Sequence, residues 1–195
     1  MSCWALIPVK SPAAAKRRLA GALDEASRAA LVRRMLERVV LAAQSARGID
    51  RVCLIGFSRH GLDESVPLLA EPGKGLNAAI AAGLASAASD GATRAVCIAA
   101  DLPLIATQDL ELLALAPDGA IAIAPDRHGT GTNALSLPLP EAGEFHFAFG
   151  PDSCARHHLE AARLGLPLEE IHSLGLARDV DVPEDLPDAL ALLQG

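Results

Sequence analysis

The stretch "AVCIAADLP", residues 95–103, decides the fold. It is a short apolar run that ends in Asp101 and a turn-forming Leu-Pro pair, which is typical of a strand buried in a parallel sheet. Similar runs are "WALIPV" (4–9), "RVCLIGFS" (51–58) and "GAIAIAPD" (119–126). Segments with helical periodicity alternate with them, at residues 24–47, 76–88, 107–116 and 151–164. The alternation predicts an α/β fold, with a mostly parallel Rossmann-like sheet flanked by helices.

Two segments depart from this alternation. Residues 127–150 are turn-rich with short alternating apolar pieces, so we expect a small β excursion there. The tail "ARDVDVPEDLPDALALL", residues 177–193, predicts a short strand, a turn and a final helix. The length of 195 residues suits a single domain, residues 1–195.

The composition excludes several classes of function. A net charge of -7 and an aromatic content of 3% argue against a nucleic-acid surface, which needs a basic stripe and stacking platforms. No apolar segment is long enough to cross a membrane, and "MSCWALIPVK" lacks the pattern of a signal peptide. Four widely spaced cysteines indicate reduced thiols rather than disulfides. We therefore expect a cytoplasmic protein without nucleic-acid or membrane partners.

Acidic residues follow two predicted strands. Ligands of open parallel sheets bind beyond the carboxyl ends of the strands, where Asp101 falls. Asp179 and Asp181 alternate along the predicted short strand, so one of them would share the crevice with Asp101. The pair Asp101 and Asp181 would suit Mg²⁺, which accepts one or two protein carboxylates beside substrate phosphates. Asp101 could instead cap the following turn, and whether Asp179 or Asp181 faces the metal stays open.

A basic loop follows the first predicted strand. The stretch "IPVKSPAAAKRRLA", residues 7–20, reverses the overall acidity with four cations in nine residues. Lys10, Lys16 and Arg18 could wrap a triphosphate, although a solvated entry into a helix would have the same composition.

Two further stretches have the composition of anion-binding loops. "GTGTNAL" (129–135) offers small residues and hydroxyls, and "FGPDSCARHH" puts Gly150 and Ser153 at a helix N-terminus. Cys154, His157 and His158 have the residue types of zinc ligands. The two adjacent histidines diverge by about 100° on a helix, which argues against zinc there.

Six motifs in order resemble the 2-phospho-L-lactate guanylyltransferase family, which includes phosphoenolpyruvate and 3-phospho-D-glycerate guanylyltransferases. They span residues 7 to about 186 and are "IPVKSPAAAKRRLA", "GKGLNAAI", "AADLPLI", "APDRHGTGTNAL", "FAFGPDSCARHHLEAA" and "DVDVPEDL". The first replaces the Gly-rich opening of related molybdenum-cofactor nucleotidyltransferases. Val182 and Cys154 depart from the family, which usually has Thr and Phe at these positions.

The resemblance implies the nucleotide-diphospho-sugar transferase fold and a magnesium-dependent guanylyltransferase. Such an enzyme joins GMP from GTP to a small phosphorylated carboxylic acid and releases pyrophosphate, in the biosynthesis of the deazaflavin coenzyme F(420). By motif, the implied GTP-binding residues are Lys10, Lys16, Arg18, Gly75 and Asn77, and the implied acceptor-binding residues are Thr132, Gly150 and Ser153. Asp101 and Asp181 would hold Mg²⁺, and Lys16, Arg18 and Asp101 would act in catalysis.

Other functions remain open at this point. One alternative is a molybdopterin-type nucleotidyltransferase, but the Gly-rich opening motif of that class is absent. Another is a non-catalytic nucleotide-binding regulatory domain, which would be expected to lose Asp101 and Asp181, whereas both are present. The acceptor could be 2-phospho-L-lactate, phosphoenolpyruvate or 3-phospho-D-glycerate, which differ by small groups. The Ala- and Arg-rich composition is typical of a bacterial protein, which favours phosphoenolpyruvate or 3-phospho-D-glycerate as the acceptor. A homodimer could form through residues 127–150.

Overall fold

Within the residues that the structure describes, the chain forms one seven-stranded sheet flanked by helices. The computed structural model describes residues 2–10, 16–71, 73 and 75–193. Its strands are β1 Cys3–Pro8, β2 Arg51–Gly56, β3 Leu68–Ala70, β4 Arg94–Ile98, β5 Ile121–Pro125, β6 Thr132–Pro138 and β7 Leu168–Glu170. Its helices are α1 Glu25–Ser45, α2 Leu76–Ser89, α3 Thr107–Ala114, α4 Ser153–Leu164, α5 Leu174–Ala177 and α6 Leu186–Leu193, with 3-10 helices at Arg17–Gly21 and Pro183–Asp185.

The strand order is β3-β2-β1-β4-β6-β5-β7. All neighbouring pairs are parallel except those of β6, which runs antiparallel to both β4 and β5. The predicted α/β class and mostly parallel sheet are confirmed. The β excursion predicted for residues 127–150 contains β6, which lies inside the sheet rather than outside it. Because β6 is buried between two strands of its own chain, it is not available for a dimer contact.

Helices cover both faces of the sheet because side chains alternate along each strand. Ala5 and Ile7 of β1 contribute to a core with α1 and α3, whereas Leu6 contributes to a core with α2 and α4. A smaller cluster joins Leu19 and α1 to Val180 and the start of α6. This third cluster holds the 3-10 helix Arg17–Gly21 beside the C-terminal loop, so two segments with candidate site residues pack together.

Several local predictions differ from the structure. The edge strands β3 and β7 were not predicted, because each has only three residues. The segment 179–182 was expected to be a short strand but is irregular. Thr107, whose side chain would suit an N-cap, is instead the first residue of α3; the N-cap is Ala106, whose N–H donates to the Asp109 carboxylate at 2.8 Å. Within the part of the chain that the structure describes, no helix is long and apolar enough to cross a membrane.

Close packing of α2 on the sheet depends on Gly83. A Cβ atom at this position would lie 2.5 Å from Cδ1 of Ile55 and 3.5 Å from Cδ1 of Leu6. We expect Gly83→Leu to lower the free energy of unfolding by about 3 kcal/mol through overpacking. The control Ala82→Leu places the same side chain at an exposed position of α2, where a change within about 0.5 kcal/mol is expected. Urea unfolding checks both, and equal effects would contradict the packing argument.

Candidate active site

A cleft of about 510 Å³ opens beyond the carboxyl ends of β1 and β4. The rule for open parallel sheets predicted this place. Eight of the ten predicted site residues line the cleft: Lys10, Lys16, Arg18, Asp101, Thr132, Gly150, Ser153 and Asp181. The structure therefore brings together residues from five separate sequence motifs. Residues 11–15 of the basic loop lie outside the described residues.

Lys16 joins two carboxylates at the cleft. Its Nζ donates a hydrogen bond to Oδ2 of Asp101 and another, of 3.0 Å, to Oδ1 of Asp181. The Lys16 side chain is only 9% exposed, and its backbone is left-handed with φ 51°. This conformation turns the chain into the 3-10 helix Arg17–Gly21 and aims Lys16 back towards the end of β4. Two carboxylates thus lie within hydrogen-bonding distance of one nitrogen atom.

The charges at this cluster shift its pKa values. Burial by itself lowers the pKa of Lys16, but the Asp101 and Asp181 carboxylates outweigh it and raise that pKa above its ordinary value. The same contacts, opposing burial, lower the pKa of Asp181. Asp179 also lines the cleft, and burial followed by the neighbouring Asp101 charge raises its pKa. Lys16 is therefore a charged ammonium at neutral pH, facing three acidic groups.

The cluster has the donor set of a magnesium site. Asp101, Asp179 and Asp181 offer hard oxygen atoms at one edge of the cleft, which is the ligand type that Mg²⁺ selects. Asp179 and Asp181 both line the cleft, so the choice between them as a metal ligand stays open. The alternation of side chains along a strand cannot decide between Asp179 and Asp181, because residues 179–182 do not form a strand. Lys16 supplies the compensating positive charge in the structure as it stands.

Asp185 holds the loop that carries Asp181. The residue is 3% exposed, and its carboxylate accepts the N–H groups of Asp181 at 2.7 Å and Val182 at 3.0 Å. The other oxygen accepts a hydrogen bond from the Arg127 guanidinium. Burial would raise the pKa of Asp185, but these donors outweigh burial and lower it. In the sequence, Asp185 has only the pattern of an acidic residue at the start of a helix, which does not predict its role in holding this loop.

Asp185→Ala should destabilise the fold by about 3–5 kcal/mol, because it leaves two backbone N–H groups and a partly buried guanidinium without their acceptor. Glu184→Ala, at the exposed neighbouring position, is the matched control and should change stability by less than about 0.5 kcal/mol. Chemical denaturation followed by circular dichroism measures both. Similar stabilities for the two variants would show that Asp185 does not hold the loop.

One wall of the cleft is basic and consists of Lys10 and Arg18, which are both exposed to solvent. The backbone carbonyl of Lys10 lies 2.8 Å from Nε2 of His60, a cleft residue that sequence analysis missed. Val9 N–H donates to the Ile55 carbonyl at 2.8 Å, which extends the pairing of β1 and β2 up to Lys10. Two independent contacts therefore fix the start of the basic loop.

The opposite wall consists of β6 and the start of α4. Thr132 and Ser153 line it but are only 8% and 1% exposed. The N–H groups of Ser153 and Cys154 already donate to the carbonyls of Gly150 at 3.2 Å and Thr130 at 3.0 Å. An anion at this helix start would therefore not be met by these two N–H groups, on which the sequence argument relied. Gly150, with φ 130°, adopts a backbone conformation that favours glycine.

His157 orients the Thr132 hydroxyl from behind this wall. The ring is fully buried, and its Nε2 accepts the Ala148 N–H at 3.0 Å. The ring proton must then be on Nδ1, 3.0 Å from Oγ1 of Thr132. Burial lowers the pKa of His157 to about 4, so the ring is neutral at pH 7. Because Thr132 Oγ1 accepts from the ring, its own proton is free to be donated elsewhere.

Gly75 and Asn77 are not among the described residues that line the cleft. The Asn77 amide instead forms two hydrogen bonds with the backbone of Phe149, accepting its N–H at 2.8 Å and donating to its carbonyl at 3.3 Å. These contacts hold the loop before Gly150 against α2. The assignment of Gly75 and Asn77 to nucleoside binding stays a prediction, and the observed contacts give Asn77 a structural task.

The fold is shared with solved nucleotidyltransferases. A Desulfovibrio desulfuricans G20 protein assigned to the nucleotide-diphospho-sugar transferases matches with a TM-score of 0.73 at 18% identity, over 99% of this chain and 96% of that chain. CMP:2-keto-3-deoxy-manno-octonic acid synthetase, complexed with CTP, matches with a TM-score of 0.65 at 12% identity, over 100% and 99% of the two chains. The protein therefore has the nucleotide-diphospho-sugar transferase fold, as the resemblance implied.

Sequence comparison identifies the family within this fold. Residues 3–194 match the family described as "Guanylyl transferase CofC like", and the chain belongs to this family. A protein of Sphaerobacter thermophilus named phosphoenolpyruvate guanylyltransferase is 39% identical over 193 residues, which cover 96% of this chain and 92% of that protein. A protein of the same name from Conexibacter woesei is 40% identical over 199 residues, covering 97% and 87%. The predicted family is confirmed.

Proposed function

We propose that this guanylyltransferase joins GMP from GTP to a small phosphorylated carboxylic acid and releases pyrophosphate, with Mg²⁺ as cofactor. The observation that carries the proposal is the meeting of Asp101, Asp179 and Asp181 with Lys16 at one cleft. Phosphoenolpyruvate is the acceptor that we propose first, since the relatives at about 40% identity bear its name. We place the reaction in coenzyme F(420) biosynthesis, as the family resemblance implies.

The basic wall would receive the triphosphate. Lys10 and Arg18 stand at the cleft edge near the carboxylates, where they can neutralise phosphate oxygens without leaving water entirely. Lys16 would have to release at least one of its two carboxylates to contact the same phosphates. When bound by these carboxylates, Mg²⁺ would offset charge on the triphosphate and on the reacting phosphorus.

The opposite wall would receive the acid. The Thr132 hydroxyl has a proton to donate, because His157 already supplies the hydrogen bond that it accepts. Ser153 lies at the start of α4, whose dipole favours a negatively charged group. The acceptor would thus lie with its charged groups against Thr132 and Ser153, on the side opposite Lys10 and Arg18.

The chemistry requires little covalent participation by the protein. A phosphate oxygen of the acid attacks the α-phosphorus of GTP in line, a new P–O bond forms, and the bond from the α-phosphorus to the bridging oxygen breaks. Lys16 and Arg18 stabilise the pyrophosphate as it leaves. Positioning and charge neutralisation supply most of the rate enhancement in reactions of this type.

Pyrophosphate release tests the proposal. The purified full chain is incubated with Mg²⁺ and each of GTP, ATP and CTP, crossed with phosphoenolpyruvate, 3-phospho-D-glycerate and 2-phospho-L-lactate. We expect release that requires GTP, phosphoenolpyruvate and Mg²⁺ together. Release with GTP and a different acid would replace only the acceptor. Measurable GTP binding without pyrophosphate release in any combination would contradict the proposed transfer.

A further inference from the structure

A second cluster of potential metal ligands lies outside the cleft, between α4 and β7. Cys154 and His158 are four residues apart on α4 and therefore share one helical face. Glu170 ends β7, and its Oε1 lies 3.0 Å from Nε2 of His158. One ligand atom from each of Cys154, His158 and Glu170 lies within 4.8 Å of the other two.

His172 adds a fourth side chain at the edge of this cluster. Its Nε2 lies 3.0 Å from Oε2 of Glu170, so two imidazole rings contact the two oxygens of one carboxylate. The His158 and Glu170 side chains are each 39% exposed, which leaves them room to change orientation. The residue Cys154, by contrast, is only 6% exposed and lies on the protein side of the cluster.

We propose that Cys154, His158 and Glu170 form a Zn²⁺ site. A thiolate, an imidazole and a carboxylate are ligands that this ion takes together, and its bonds of about 2.0–2.3 Å require ligand atoms to lie within about 4 Å of one another. The observed upper limit of 4.8 Å needs only small rotations of the two exposed side chains to meet that requirement. His172 is placed to hold Glu170 in orientation through its second oxygen, and water completes the coordination.

The site would tie the start of α4 to the edge of the sheet. The Cys154 N–H donates to the Thr130 carbonyl at 3.0 Å, and Ser153 precedes Cys154 on the cleft wall. A bound ion would thus connect β7 to the helix turn that borders the cleft. This inference does not depend on the proposed guanylyl transfer, because none of the three ligands lines the cleft among the described residues.

Cobalt titration tests the site, because thiolate-bound Co²⁺ has a near-ultraviolet charge-transfer band that carboxylate-bound Co²⁺ lacks. The full chain is stripped of metal, kept reduced with a phosphine and titrated with Co²⁺ alone. We expect one thiolate-bound Co²⁺ per chain, displaced by one equivalent of Zn²⁺. Cys154→Ser should abolish the band, whereas Cys97→Ala, which removes the cysteine that lines the cleft, should keep it.

Two further variants keep the test decisive if Cys154→Ser does not fold. Glu170→Gln should weaken Co²⁺ binding at least tenfold, and His172→Ala should weaken it by about 10- to 100-fold, as loss of an orienting partner does. Both positions are exposed enough to tolerate the change. The proposal is overturned if the parent chain shows no charge-transfer band, if Cys154→Ser retains it, or if neither Glu170→Gln nor His172→Ala alters the affinity.

Discussion

Asp101→Asn is expected to lower guanylyl transfer by about a thousandfold, which corresponds to about 4 kcal/mol of transition-state stabilisation. The substitution keeps the volume of the side chain and removes one negative charge from the proposed magnesium site. The backbone hydrogen bond from the Val180 N–H to the Asp101 carbonyl, 3.3 Å long, is unaffected. Lys16 also retains Asp181, so the fold should survive.

The measurement is turnover at saturating GTP and acceptor, together with thermal unfolding of the same sample. Glu184→Gln is the matched control, because it makes the same chemical change at an exposed position outside the cleft. We expect Glu184→Gln to keep full turnover. Turnover of Asp101→Asn that equals the parent, with the parent's dependence on Mg²⁺, would remove Asp101 from the metal site and return it to a turn-capping role.

The general location of the site could be predicted from sequence by two simple physical arguments. The strand "AVCIAAD" places Asp101 at a carboxyl end, and parallel strands gather such ends at one edge of the sheet. The cations of the basic loop reverse the acidity of the chain after another strand, so they reach the same edge. Local sequence and the topology of a parallel sheet are therefore enough to predict that these residues meet at one edge of the sheet.

The contacts within the site could not be predicted in the same way. Lys16 meets two carboxylates that are 85 and 165 residues away, and it does so from a left-handed backbone conformation that the sequence pattern does not indicate. Asp185 appears from sequence as an ordinary residue at a helix start, and its hydrogen-bond donor Arg127 is 58 residues away. The buried His157 is equally hidden, since its partners Thr132 and Ala148 belong to other segments.

The order of the strands could not be predicted from the sequence either. An apolar run such as that of β6 has the same pattern whether it pairs parallel or antiparallel, and all its residues are buried. The antiparallel insertion has a functional consequence. It brings Thr132, at the start of β6, to the edge where β4 ends, because Ala134 pairs with Ile98. The β excursion therefore provides one wall of the cleft.

A second large effect is expected from Lys16→Met. The ammonium of Lys16 is the cation that lies between Asp101 and Asp181 in the described part of the structure, and its removal leaves these carboxylates and Asp179 facing one another. Without Mg²⁺ we expect a loss of about 1–3 kcal/mol in unfolding free energy, reduced by the partial exposure of the carboxylates. Transfer should fall by about 10²- to 10³-fold, since one donor to the departing pyrophosphate is lost.

The dependence on Mg²⁺ separates the two roles of Lys16. In the parent chain an incoming Mg²⁺ must displace the ammonium from its carboxylates, whereas in Lys16→Met it meets them unpaired. Mg²⁺ alone should therefore raise the free energy of unfolding of Lys16→Met more than that of the parent. Guanylyl transfer by Lys16→Met should stay low whether or not Mg²⁺ is in excess. Arg17→Met removes an exposed cation one residue away and should behave as the parent. If Mg²⁺ stabilises the parent and Lys16→Met equally, Lys16 and the metal do not compete for the same carboxylates, and the metal site lies elsewhere.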